Sequence, residues 1–166
     1  QYGMGLALGA FIMLVPAIFL TLLGYASWQV NELSVSTVIS GFAFFTAVAV
    51  AEEMLFRGFI FQRLMESLGQ WPAQIVISGM FLLTHINNPG MIGMTKTLAT
   101  LNIFIASVMF GLAFIKTKSL AMPVGIHFMA NFMQGTVLGF GVSGVKEKSL
   151  VKAFAGECPV WLGPVA

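Results

Sequence analysis

From Gly3 to about Tyr25 the chain carries no charged residue, and a run of that length leaves few options. A bilayer core about 30 Å thick is crossed by about 20 apolar residues in a helix, and within it an open, unpaired backbone is not tolerated. A first spanning helix is therefore expected. Its Gly5-x-x-x-Gly9 spacing permits close contact with another helix. The remainder has the same character: 58% of residues are hydrophobic and 8% charged, where soluble domains carry about a quarter charged residues. With a mean hydropathy of +0.92, this argues against a water-soluble fold. The length leaves room for about four to five spans with short loops: one all-α membrane helix bundle, a single transmembrane domain over residues 1–166. No strand-like alternation and no repeat is read in it.

Turn signals divide the chain. A polar stretch from Trp28 to Ser36 reads as a loop, and an apolar run from Val38 continues without a breaker through Glu52, Glu53 and Arg57 to about Leu68. Gly69-Gln70-Trp71-Pro72 punctuates it, with the proline suited to the first turn of a helix over Ala73 to His85. Asn87-Asn88-Pro89-Gly90 ends that helix. Two more helices are expected over Thr97 to Ile115 and Leu120 to Phe140. The first residue is Gln1, and the end is Gly/Pro-rich from Gly156 to Pro164, so the chain is expected to be the core of a longer protein, with its motif-bearing part at 37–140.

The formal charge is +2, and the basic residues are scattered at segment ends. They form no patch for nucleic acid, and they fall on both sides of any alternating topology, so they do not set its orientation. Cys158 is the single cysteine. It excludes an internal disulfide and gives a thiol mechanism little support.

An ionisable residue at mid-bilayer costs about 2.5–3.5 kcal/mol on insertion scales and commonly marks function. Here these residues are Glu52, Glu53, Arg57, His85 and His127, joined by the amide of Asn131. Residues four apart share a helical face, so Glu53 and Arg57 are expected to pair. Glu52, about 100° around the helix, remains available. His127 and Asn131 share a face in the same way, and so do Phe81 and His85. A buried carboxylate can take a proton from water, which makes Glu52 the candidate base and His85 its helper. His127 and Asn131 can supply oxyanion donors. These are the parts of a peptidase, acting on a membrane-associated peptide with no cofactor implied.

The motifs carry a resemblance. Glu52-Glu53-Met54-Leu55-Phe56-Arg57 reads EExxxR, Phe81 to His85 reads FxxxH, and His127 to Asn131 reads HxxxN. In that order they resemble the CAAX-protease and bacteriocin-processing (Abi) family of intramembrane glutamic-type endopeptidases. The resemblance implies that Glu52 and His85 activate water, that His127 and Asn131 form an oxyanion hole, and that Glu53 and Arg57 orient the site, with Phe81 supporting His85. It also implies substrates of the prenylated CAAX type, or a role in bacteriocin maturation or immunity.

The same residues bear on rival readings. Gly141-Val142-Ser143-Gly144 has the GxSG form of rhomboid proteases, but no histidine follows Ser143. Paired aspartates are impossible in a chain without Asp. HExxH is absent, although Glu52, His85 and His127 would make a two-His, one-Glu zinc set. A proton-relay transporter lacks the internal repeats common in that class. A non-enzymatic immunity or scaffold protein of the same fold is the alternative from another class, since fold does not fix function.

Overall fold

The computed structural model describes residues 1–31, 34–146 and 148–155. Cys158 and the Gly/Pro-rich end lie outside the described residues. Helix α1 (Tyr2–Leu22) is followed by a short strand, β1 (Ala26–Val30). Helix α2 (Val35–Glu53) then runs directly into a π-helical turn, Met54–Ile60, and on into α3 (Phe61–Leu68). Together they make one continuous helix of 34 residues. Gly69 stops it with φ at +80°, a conformation that costs glycine little. Helices α4 (Gln70–Leu83), α5 (Gly93–Thr117) and α6 (Ala121–Phe132) follow, and a second π-helical turn, Met133–Val137, extends α6.

Among the described residues three helices are long and apolar enough to cross a membrane: Tyr2–Leu22, Val35–Leu68 and Lys96–Thr117. The other two expected spans are shorter. Helix α4 has 14 residues and α6 has 12 before its π-helical turn, less than the length of about 20 that crosses a bilayer core unaided. The distribution of side chains is nonetheless that of a lipid-solvated bundle. Phe11, Ile18, Phe19, Ile39, Phe59, Leu101 and Ile105 are exposed on the outside, while Glu53, Arg57, Gln74, Ser78, Ser107 and His127 are buried inside.

One expectation is corrected. The stretch from Trp28, read as loop, begins within β1, and the tail supplies a second strand, β2 (Val151–Ala155). They pair antiparallel with Ala26 opposite Ala155 and Val30 opposite Val151. The fold is a helical bundle with this small clasp at one end.

Helix α6 is central. On one side α1 lies parallel to it, and the Gly5-x-x-x-Gly9 spacing makes the contact: a Cβ at Gly5 would stand 2.5 Å from the Met122 carbonyl oxygen, and one at Gly9 2.6 Å from that of Ile126. Gly125 answers from α6, where a Cβ would stand 2.6 Å from the Tyr2 carbonyl oxygen. Backbone-to-backbone packing of this kind substitutes for the hydrophobic drive that lipid removes. On the other side α2 runs antiparallel to α6, with the Phe42 ring edge-on to Phe128 at 5.0 Å.

This packing gives a paired prediction. Gly9→Leu forces α1 off α6 and should cost at least about 1–3 kcal/mol, the range for overpacking, whereas Gly3→Leu meets open space and should be silent. Thermal unfolding in detergent distinguishes them, and equal midpoints for the two variants would refute this account of the α1–α6 contact.

Candidate active site

Four helices bring the polar residues together. Glu53 is the last residue of α2 and Arg57 sits in the π-helical turn, both fully buried. The expected pair forms, with Arg57 Nη1 donating to Glu53 Oε1 at 3.1 Å. The other terminal nitrogen, Nη2, donates to the Ser107 carbonyl oxygen at 2.9 Å and to Ser107 Oγ at 2.5 Å, both on α5. The guanidinium also lies over the faces of Phe81 (4.8 Å) and Phe110 (5.2 Å), where aromatic quadrupoles favour a cation. Gln74 of α4 extends the network, donating to Ser78 Oγ at 3.1 Å and lying 3.5 Å from the Ser107 carbonyl oxygen. Gly111 on α5 leaves room for its amide, which a Cβ there would displace.

Glu53 has a second partner that the spacing did not suggest. His127 Nδ1 donates to the same Oε1 at 2.9 Å, across from α6. An ionised carboxylate can only accept, so Nδ1 carries the proton and the opposite nitrogen, Nε2, is directed elsewhere. It lies 3.7 Å from Glu52 Oε2. The imidazole is fixed in that attitude by the Phe110 ring, stacked at 4.7 Å with 12° between planes.

His85 arrives at the same carboxylate from the turn after α4. Its Nδ1 faces the Phe81 carbonyl oxygen at 2.8 Å. A carbonyl cannot donate, so here too Nδ1 holds the proton and Nε2 is the free end. Nε2 lies 3.8 Å from Glu52 Oε1. Phe81 meets His85 twice, through that carbonyl and through its ring at 4.7 Å. It also touches His127, at 6.1 Å between ring centroids.

Glu52 therefore differs from its neighbour as the helical geometry anticipates. Its side chain keeps 27% of its exposure while Glu53 keeps none, and one of its oxygens, Oε2, is buried without a hydrogen bond among the described residues. Separations of 3.7–3.8 Å are too long for direct hydrogen bonds. They suit a small molecule lying about 2.8 Å from the carboxylate and from an imidazole at once. Among the described residues no three His, Cys, Asp or Glu side chains are grouped to hold a metal ion.

Asn131 is the one motif residue left outside this cluster. It lies a turn beyond His127 on α6, half-buried, and its side chain makes no hydrogen bond among the described residues. None of these residues lines the open apolar pocket of about 350 Å³ between α1, β1 and the tail, which is formed by Leu14, Ile18, Trp28, Val137 and Val151 among others. Ser143 sits in a tight turn, and its carbonyl oxygen accepts from Asn88 Nδ2.

Residues 34–133 match a family described as type II CAAX prenyl endopeptidase Rce1-like. The match covers more than half of the chain and contains every motif residue named above. The chain belongs to that family. The Rce1-like family is one of membrane-embedded proteases, in agreement with the resemblance carried by the three motifs. No curated protein and no solved structure matches the chain.

Ser107, Gln74 and Phe110 are the residues that the motifs did not announce. Ser107 and Gln74 are isolated polar side chains in apolar helices, a signal present in the sequence but passed over in favour of ionisable groups. Phe110 carries no signal among 16 phenylalanines.

The two adjacent glutamates should part company in stability. Glu53→Ala strands a buried guanidinium and should cost about 3–5 kcal/mol, the range for breaking a buried pair. Glu52→Gln removes no hydrogen bond to a described residue and should change stability by less than about 1 kcal/mol. Denaturation in micelles followed by tryptophan fluorescence measures both, and a stable Glu53→Ala protein would mean the buried pair is dispensable.

Proposed function

We propose that this Rce1-like chain is a multi-pass intramembrane endopeptidase of the glutamate type that hydrolyses peptide bonds of membrane-associated substrates, prenylated CAAX-type proteins among them. The observation that carries this reading is the half-buried Glu52 carboxylate facing Nε2 of both His85 and His127 at 3.8 and 3.7 Å.

With Nδ1 of each ring committed to an acceptor, the Glu52 carboxylate and the His85 imidazole present lone pairs to the same small space, which His127 Nε2 borders. Water supplies what that space requires, two O–H donors on one oxygen. In this mechanism the water donates to Glu52 and to His85 Nε2, and its oxygen adds to the scissile carbonyl carbon as Glu52 takes the proton. The carbonyl π pair moves onto oxygen. When the oxyanion collapses, the C–N bond breaks and the proton held by Glu52 passes to the leaving amine.

His127 faces the oxyanion with Nε2 when both ring nitrogens carry protons, and Asn131, on the same face of α6, supplies a second donor once substrate is present. Glu53 and Arg57 act indirectly. Glu53 fixes the attitude of the His127 ring, and Arg57 with Ser107 holds Glu53.

The test is cleavage of a quenched fluorescent peptide, prenylated and unprenylated, by purified protein with and without a strong chelator. Wild type should cleave regardless of chelator, and Glu52→Gln should lose about 10²–10⁴-fold in kcat, the range for a general base. Preference for the prenylated peptide would identify the substrate class. Full turnover by Glu52→Gln, or cleavage abolished by the chelator, would sink the glutamate mechanism.

A further inference from the structure

His85 stands just past the end of α4, where helical hydrogen bonding has ended and something else must hold the backbone. Its own N–H reaches back to the Leu82 carbonyl at 2.9 Å, and its carbonyl accepts from the Asn88 N–H at 3.1 Å. Asn88 is therefore the next fixed point of this turn, and it is tied to a distant part of the chain. Its Nδ2 donates to the Ser143 carbonyl oxygen at 2.6 Å, and two residues on, the Gly90 N–H donates to the Gly144 carbonyl oxygen at 2.9 Å. A Cβ at Gly90 would stand 2.6 Å from that oxygen, so the two backbones meet closer than side chains allow.

The acceptor is itself rigid. Val142 and Val145 exchange backbone hydrogen bonds at 2.8 and 2.9 Å, and Ser143 and Gly144 between them have φ of +49° and +82°. This is the two-residue hairpin turn with both central residues left-handed. It is fastened to the π-helical extension of α6, where Gln134 Nε2 donates to the Gly141 carbonyl oxygen at 2.6 Å and the Gln134 backbone carbonyl oxygen accepts from the Phe140 N–H at 2.9 Å. A path of hydrogen bonds thus runs from the helix that carries His127, through Gln134 and the turn, to Asn88 and His85. The turn lies beyond residues 34–133, the part that matches the family.

We propose that the turn Val142–Val145 is a positioning clasp for His85 and that Asn88 is the positioning residue that engages it. This rests on the protease reading above for its effect on rate, though not for its effect on the ring. Catalytic geometry is sensitive at this scale, since a misplacement of about 1 Å can cost about 100-fold. Asn88→Ala removes the side chain, and Asn88→Asp keeps its shape while replacing the donating amide with an acceptor that opposes the Ser143 carbonyl. Ser143→Ala keeps the accepting carbonyl and is the control.

The chain contains two histidines, so imidazole nuclear magnetic resonance of histidine-labelled protein in micelles reads each ring separately, with assignment by His85→Gln and His127→Gln. In both Asn88 variants the His85 ring signals should shift or split while those of His127 stay in place, and Ser143→Ala should match wild type. In the peptide assay kcat should fall about 10- to 100-fold, as for a misplaced group, with KM within about twofold. Unmoved His85 signals in both variants would overturn the proposal. So would equal movement of both histidines with a lowered melting temperature, which is general loosening. If wild-type protein cleaves nothing, the protease reading fails, and the ring signals still decide the clasp.

Discussion

A carboxylate, a guanidinium and an imidazole meet at one buried oxygen, Glu53 Oε1, and the bundle is arranged around the need to keep that meeting solvated without water. Charges in hydrocarbon are tolerated when paired and hydrogen-bonded. Each of the four helices at the site contributes to the pairing: α2 with its π-helical turn brings the acid and the base, α5 brings Ser107, α6 brings His127, and α4 places Gln74 behind Ser107. The aromatic rings of Phe81 and Phe110 close the remaining faces. The same ring that covers Arg57 also stacks on His127, so the packing that stabilises the cation also orients the imidazole.

The division between Glu52 and Glu53 is a consequence of adjacency on a helix. Two carboxylates one residue apart point about 100° apart, and one turns to the interior charge cluster while its neighbour turns to the space between the histidines. Each imidazole has its Nδ1 tied to a fixed acceptor, one a carboxylate and one a backbone carbonyl. Both rings therefore offer the same nitrogen to Glu52, a symmetry reached from unrelated elements.

The local relations were legible in the sequence and the distant ones were not. Glu53–Arg57 and Phe81–His85 are four residues apart on one helix, and spacing alone reveals them. Glu53–His127 joins positions 74 residues apart, and nothing in the spacing of either motif says which helix faces which. The role of Ser107 escaped for the same reason. The pairing of β1 with β2 was missed differently: Ala26, Trp28 and Val30 alternate with Ser27 and Gln29, but five residues of alternation between two apolar helices are a weak signal, and the partner strand lies over 120 residues away. The Gly5-x-x-x-Gly9 spacing, weak by itself, proved to be a direct backbone contact with the helix that holds His127. Where a helix of the bundle shortens was not legible either: α4 and α6 are shorter than the three long apolar helices, and periodicity does not mark that difference.

The π-helical turn Met54–Ile60 sets a rule for changes of chain length. Its wider ring of hydrogen bonds leaves backbone carbonyls poorly served, and Gln62 covers two of them, donating to Gly58 at 2.7 Å and to Arg57 at 3.3 Å. A residue deleted or inserted anywhere in α2 would rotate Glu52 and Glu53 together by about 100° against α6 and dismantle the site. Within the π-helical turn after Arg57 the outcome differs, because a deletion there leaves the Glu53–Arg57 spacing intact and can relax the helix to ordinary pitch. The place where the long helix is least regular is thus also where its length can change without turning the two glutamates.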